Sequence, residues 1–385
     1  MSDAIQGCMP VDSLVARRLT RLWAALADQR LDAVVVFGKG TIGSYGGIEW
    51  TSGYAPVLRA ANVVLLPGHA PIAVVTTAAD AYYARHRAGV EDARAAGQGD
   101  ILSEYDDLAS GVAGVLAEKG VAKGRLGVVG LKHHATAHEA ERFASGLPDA
   151  TVVDVTGAFA AVKAIKEPEE IAELEATAAI ADAAFEACLP LVRAGATGWE
   201  LNAAIEGKGR SLGVKDALVF ASAGSYFLER PTAEPFAAGD LLSIYVEIVG
   251  PTDYWVELAR LVAIGPLDPA RMAMADACLE AARAAEQGLV AGKPAGAAAA
   301  AIDAVAAREG VRVGIWHGHG VGVDHDLPVI TAADTTPLAA DMVIAVHPNF
   351  SSADERISAS VADTYVIGTG SPRRLSRIDP GLTTV

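Results

Sequence analysis

The chain has 385 residues, 51% of them hydrophobic and 20% charged, with a formal net charge of −16. That length exceeds what one core usually organises and predicts two globular domains, while the acidic balance, with Lys and Arg scattered, argues against a nucleic-acid partner. No apolar stretch reaches the roughly 20 residues of a membrane span, and Cys8, Cys188 and Cys278 are too scattered for a disulfide framework or a thiolate cluster. Met1-Ser2-Asp3-Ala4 has neither the basic flank nor the apolar run of a secretion signal, so a cytoplasmic location is expected.

Apolar residues recur at helical spacing over 11–29, and 31–37 reads as a buried strand closed by Gly38. The runs 62–66 and 72–76 read as neighbouring strands joined by a turn over 67–71. Helices over 78–87 and 108–119 and strands over 126–129 and 151–154 complete an α/β domain, residues 1–158. Composition then shifts at Lys163-Ala164-Ile165-Lys166-Glu167-Pro168-Glu169-Glu170-Ile171, opening a second domain, residues 159–385. Pro168 suits a first helical position and Glu169 and Glu170 suit the positive end of a helix dipole, which predicts a long helix to about 193. Thr197 and Glu200 form a capping box for a helix to 211. Strands follow over 217–221, 241–249 and 255–264, helices over 269–290 and 295–309, and closing strands over 342–346 and 362–367. The whole reads as an α+β domain in which helices cover a curved, mostly antiparallel sheet.

Four of the nine histidines fall between Trp316 and His347, in Trp316-His317-Gly318-His319-Gly320-Val321-Gly322-Val323-Asp324-His325 and Val346-His347-Pro348-Asn349. One histidine beside a glycine is ordinarily a hydrogen-bonded loop residue, but three within one short segment favour a site. Tyr245 and Glu247 alternate with Ile244, Val246 and Ile248, so on a strand they project from one face. A carboxylate in so apolar a strand is costly unless paired, and Arg260 is a candidate partner. Tyr226, Tyr254, Trp255 and Trp316 read mainly as packing, with Tyr254 or Trp255 as a candidate pocket wall.

Taken together, these segments resemble the superfamily of creatinase, prolidase, aminopeptidase P and methionine aminopeptidase, and the likeness covers most of the chain. Residues 165–171 resemble the entry to its catalytic domain, Gly239-Asp240 the start of its central strand, Gly318-His319-Gly320-Val321-Gly322 its histidine loop, and Asp341-Met342-Val343 before His347-Pro348 a closing strand. Ile48-Glu49-Trp50-Thr51-Ser52-Gly53-Tyr54 is similar to a segment of the two-domain members. The resemblance implies a creatinase-type N-terminal domain followed by a pita-bread catalytic domain. It also implies a homodimer in which the amino half of one chain approaches the site of the other.

The departures bear on function. Where the metallopeptidases hold two metal ions with two aspartates, a histidine and two glutamates, the resemblance aligns Tyr245, Glu257, His319, His347 and Ala362. Their assisting histidine would fall near Leu228. The pair Glu257 and Arg260 is similar to one in creatinase, which works without metal, and Arg59 lies near a creatinase arginine that reaches across the dimer to a substrate carboxylate. A metal pair needs several carboxylates to share its charge. The expected function is therefore a metal-independent, creatinase-like hydrolase, with no cofactor, that cleaves a C–N bond other than an ordinary peptide bond in a small polar substrate. Glu257 or Glu247 would activate water or hold a cationic nitrogen, and His319 and His347, with His325 beside them, would move protons. Arg260 or Arg59 would anchor a carboxylate, and Tyr245, Tyr254 and His317 would touch substrate or support a neighbour. Two alternatives stand: a hydrolase or lyase with one iron, manganese or zinc ion, and a non-catalytic peptidase-like binding protein. No nucleic-acid or membrane partner is expected.

Overall fold

The structure is a computed structural model that describes residues 13–100, 102–224 and 229–385. Tyr226 and Leu228 therefore lie outside the described residues. The chain divides into two compact units after Lys163.

The first unit runs α1 (Leu14–Ala25), β1 (Ala33–Lys39), α2 (Gly46–Ser52), β2 (Ala60–Leu65), β3 (Ile72–Val75), α3 (Ala78–His86), β4 (Asp92–Ala95), α4 (Glu104–Glu118), β5 (Arg125–Val129), α5 (Ala137–Gly146), β6 (Thr151–Asp154) and α6 (Thr156–Ala164). Its sheet has the order β4-β3-β2-β1-β5-β6. The valine-rich runs of β1 and β2 are buried along both faces, which is why they read as unbroken apolar stretches. Val35, Phe37, Val64, Val112, Val128 and Phe143 join one core. The expected boundary at 158 falls inside α6, which continues this unit: Phe159 meets Trp50 edge-on with ring centroids 5.2 Å apart.

The second unit runs α7 (Pro168–Cys188), α8 (Gly198–Ser211), β7 (Asp216–Ala223), β8 (Leu241–Val249), β9 (Trp255–Ala263), α9 (Pro269–Glu286), α10 (Gly296–Glu309), β10 (Arg312–Val313), β11 (Gly318–Val321), β12 (His325–Val329), β13 (Val343–Val346), β14 (Asn349–Ser351), β15 (Ser358–Ser360), β16 (Ala362–Val366), β17 (Arg373–Arg374) and β18 (Thr383–Thr384). Pro168 opens α7 and a capping box opens α8, as the sequence predicts, and Glu167 with Glu170 adds a box at the start of α7. α7 stops at Cys188 rather than near 193, where Leu189–Leu191 tightens into a single 3-10 turn at Pro190. The main sheet has the order β12-β11-β13-β16-β9-β8-β7, with each of those neighbours antiparallel. Ile344, Val346 and Tyr365 pack into a core with Met274, Cys278 and Ile302 of α9 and α10. The first unit is thus an α/β domain and the second an α+β domain, as expected from the sequence. Among the described residues no helix is long and apolar enough to cross a membrane.

The histidine segment, read from sequence as a loop, is instead a hairpin of β11 and β12 that forms one end of the sheet. Two glycines make that possible. A Cβ on Gly318 would lie 2.2 Å from the Ala345 carbonyl oxygen, and one on Gly320 would lie 2.4 Å from that of Leu327. The glycines thus let β11 approach its neighbours closely and seat His319 in the sheet.

Candidate active site

Strand register assembles the cluster. Antiparallel pairing sets Glu247 opposite Glu257 and Tyr245 opposite Ala259, and Ala259 in turn stands opposite Ala362 of β16. Two carboxylates face to face on adjacent strands repel. They coexist here because an imidazole meets each: His319 Nε2 lies 2.8 Å from Glu257 Oε1, and His325 Nε2 lies 2.8 Å from Glu247 Oε1. Neither contact lies along a well-directed N–H axis, so both carboxylate oxygens remain without an aligned donor.

Glu257 is the best-held group. Its Oε2 accepts a hydrogen bond of 2.5 Å from the Tyr245 hydroxyl, and its main-chain N–H donates to Thr364 Oγ1 at 2.9 Å. Burial pushes the carboxyl up, but His319 above all, with the Tyr245 hydroxyl, outweighs it and holds Glu257 below the ordinary carboxylate range. Glu247 goes the other way: burial and then repulsion from Glu257 raise it, against the opposing pull of His325. Burial and the two nearby carboxylates also drive the Tyr245 phenol well up, so it stays neutral and donates.

The three imidazoles differ as sharply. His319 Nδ1 lies 3.0 Å from the Gly320 carbonyl, which can only accept, so this nitrogen carries hydrogen. With Nε2 facing a carboxylate, the ring is best satisfied as imidazolium. Burial opposes the charge, but Glu257 prevails and raises the pKa. His325 sits between Glu247 and Asp324, whose Oδ1 is 3.5 Å from Nδ1, and these anions overcome burial to lift it to about 10. In His347 burial dominates and lowers the pKa to about 4, leaving a neutral ring. The His319 ring centroid is 4.5 Å from that of His325 and 5.7 Å from that of His347, and Trp255 lies 5.8 Å from His325.

Other expected site residues fall elsewhere. Arg260 does not pair with Glu247. It is three positions from Glu257, so alternation turns it to the opposite face, where it donates to Asp363 at 2.8 Å, to Ala362 O at 2.9 Å and to Ile378 O at 2.9 Å. It is thus part of a buried ion pair rather than a carboxylate anchor. His317 Nε2 lies 2.8 Å from Asp303 of α10, turned to that helix rather than to Glu257. The Tyr254 hydroxyl donates to Glu170 of α7 at 3.4 Å rather than walling the cluster. Arg59 belongs to the first unit, where it donates to the Gly99 carbonyl at 2.5 Å. Sequence reading passed over Asp324, Thr364 and Phe220. Thr364 is two residues beyond Ala362 on one strand and was findable by alternation. Phe220 needed the pairing of β7 with β8, which sets it opposite Tyr245.

The metal pair of the resembled peptidases does not fit these residues. At two of the five positions stand Tyr245 and Ala362, which pack with Phe220 and Ala259 in one buried apolar cluster. The remaining anions already carry imidazole partners, so little charge is left to hold a total of about +4. Donor atoms of Glu257, His319 and His325 nevertheless lie within 4.8 Å of one another, as a single ion would need.

The family described as metallopeptidase family M24 matches residues 172–369, and the creatinase/prolidase N-terminal domain matches residues 18–165. The first match spans just over half of the chain, which belongs to that family. The fold is shared with an X-Pro aminopeptidase from Thermotoga maritima (TM-score 0.82, 16% identity, 95% of this chain and 99% of that one). It is shared also with a Xaa-Pro dipeptidase from Bacillus anthracis (0.80, 18%, 96% and 100%) and with dipeptidase PepE from Mycobacterium ulcerans (0.79, 21%, 98% and 100%). No curated protein matches the chain in sequence. Family and fold are those of the prolidase-like hydrolases.

Proposed function

We propose that the chain is a metal-independent hydrolase that cleaves a C–N bond, other than an ordinary peptide bond, in a small polar substrate. One observation carries the reading: two carboxylates stand opposite each other, each with its own imidazole, and one of these pairs, Glu257 with His319, falls on two positions that the resemblance aligns with the peptidases' metal ligands. Surroundings that push two like groups apart in pKa commonly divide acid and base roles between them. Glu257, kept ionised, holds His319 protonated, and His319 is the acid that protonates the departing nitrogen. Glu247, pushed up, is the stronger base and takes a proton from water as the hydroxyl oxygen adds to the substrate carbon. The C–N bond then breaks, and Glu247 gives up its proton to solvent while His319 takes one back, which restores the resting pair. Tyr245 holds Glu257 in place, and His347, neutral, adds no charge beside it.

Incubation with small amides, ureas and amidines, with product analysis, tests this. Turnover should survive exhaustive chelation and fall by about 10²-fold or more in Glu257→Gln and in His319→Ala while both variants stay folded. Activity retained in both would refute the assignment. Binding without product by any member would favour the binding protein.

A second reading rests on the donor convergence: Glu257, His319 and His325 would hold one divalent ion, whose Lewis acidity would polarise a carbonyl. Stoichiometric iron, manganese or zinc in protein purified without chelators, lost in His319→Ala, would replace the first reading by this one. A cytoplasmic homodimer is part of the proposal, and sedimentation equilibrium at micromolar concentration should return twice the chain mass.

A further inference from the structure

The face that carries the two carboxylates has a second half that is apolar. Phe220, Tyr245, Ala259 and Ala362 form a cluster separate from the main core, with Leu218 and Ile315 half-buried against it. Leu218 and Phe220 stand opposite Glu247 and Tyr245, so apolar surface runs along the edge of the acid and imidazole group.

Among the described residues, four cationic side chains of this unit are committed. His319 serves Glu257, and His325 serves Glu247 and Asp324. Arg260 is turned to Asp363 on the opposite face, and Lys166, its side chain 1% exposed, meets Asp326 at 2.7 Å. A ligand carboxylate could gain a partner here only by displacing a protein carboxylate from a buried pair, which is strongly unfavourable. Oε1 of Glu247 and of Glu257 lack an aligned donor, so an N–H group of a ligand finds acceptors here. A ligand carboxylate would lose its water without gaining a partner of its own.

We propose that the ligand carries no free carboxylate where it enters this cluster: a small amide-type molecule that offers N–H groups to the carboxylate oxygens and rests a compact apolar group on Phe220, Leu218 and Ile315. The inference rests on the reading that substrate reacts at Glu247, Glu257 and His319, and it narrows what that site takes. It separates this chain from an enzyme built for zwitterionic dipeptides.

Saturation-transfer NMR on the full chain tests it with matched probes. L-alanyl-L-proline is compared with its N-acetylated, C-amidated form, and acetamide with N-isopropylacetamide. The capped peptide should bind about tenfold or more tighter than the zwitterion, a difference of roughly 1.4 kcal/mol or more. N-isopropylacetamide should bind several-fold tighter than acetamide. Phe220→Ser and, separately, Leu218→Ser should erase the second difference, with circular dichroism confirming the fold. Equal or tighter binding of the zwitterion, no saturation transfer to any neutral probe, or an isopropyl preference unchanged in both variants would overturn the proposal. Product analysis on the same samples keeps the two readings apart. If the binding differences hold and none of the wider amide and urea panel is cleaved, the hydrolase falls and the ligand class stands.

Discussion

Each unit buries a glutamate almost completely, and the two behave in opposite ways. Glu139 in α5 is 2% exposed and has one neutral side-chain partner, Asn62, whose amide donates to it at 3.2 Å. Burial dominates there and pushes its carboxyl up to about 7. Glu257 is equally buried, yet His319 and Tyr245 hold it below the usual range. The difference lies in the neighbours: an amide cannot offset the cost of desolvating a charge, whereas an imidazolium at 2.8 Å can. Asp363 is the intermediate case. Burial raises it to about 6 even with the Arg260 guanidinium beside it.

Four experiments break or sharpen this contrast. The largest effect is expected on turnover. His319→Ala, which makes Glu257 resemble Glu139, should slow hydrolysis of whichever amide or urea is cleaved by about 10²- to 10⁴-fold. An unchanged rate would mean that the pairing of Glu257 has no chemical consequence. Next is Arg260→Met, which removes the counter-charge of Asp363 and should cost about 3–5 kcal/mol in urea unfolding. A loss below about 1 kcal/mol would show that the pair is dispensable.

The third concerns Glu139 itself. Its folded pKa of about 7 lies above the ordinary 4.5, so its contribution is fully present below pH 4.5 and is lost as pH rises through 7. The total comes to roughly 3 kcal/mol. The stability of the first unit should therefore fall between pH 5 and pH 8, and Glu139→Gln should flatten that slope. A slope unchanged in the variant would assign it elsewhere. The smallest effect is spectroscopic. Imidazole ¹⁵N shifts should show His325 protonated up to pH 8 or beyond and His347 neutral down to pH 5, in keeping with pKa values of about 10 and about 4. His347 titrating near pH 6.5 would remove the environment assigned to it.

Much of this was legible along the chain. Valine runs marked β1 and β2, Pro168 with Glu169 and Glu170 marked α7, the capping box of Thr197 and Glu200 marked α8, and the alternation of Tyr245 and Glu247 with isoleucine and valine put both on one face. The bunching of His317, His319 and His325 beside glycines marked the neighbourhood of the cluster. Such signals are local: they depend on propensity, on caps and on the period of a strand, and a short window carries all of them.

What the window does not carry is which charge meets which. Arg260 looked free to serve Glu247, yet its parity on β9 and the register with β16 delivered it to Asp363. His317 was expected to touch substrate or support a neighbour in the site, but α10 brought Asp303 to it from another part of the chain. Tyr245 and Ala362 came into one apolar row only once β8, β9 and β16 lay side by side. Composition and periodicity determined the elements and the kinds of side chain each would present. The partners, and through them the protonation of every buried acid and imidazole, were decided by strand register and helix packing, because electrostatic pairing depends on distance in space rather than along the chain.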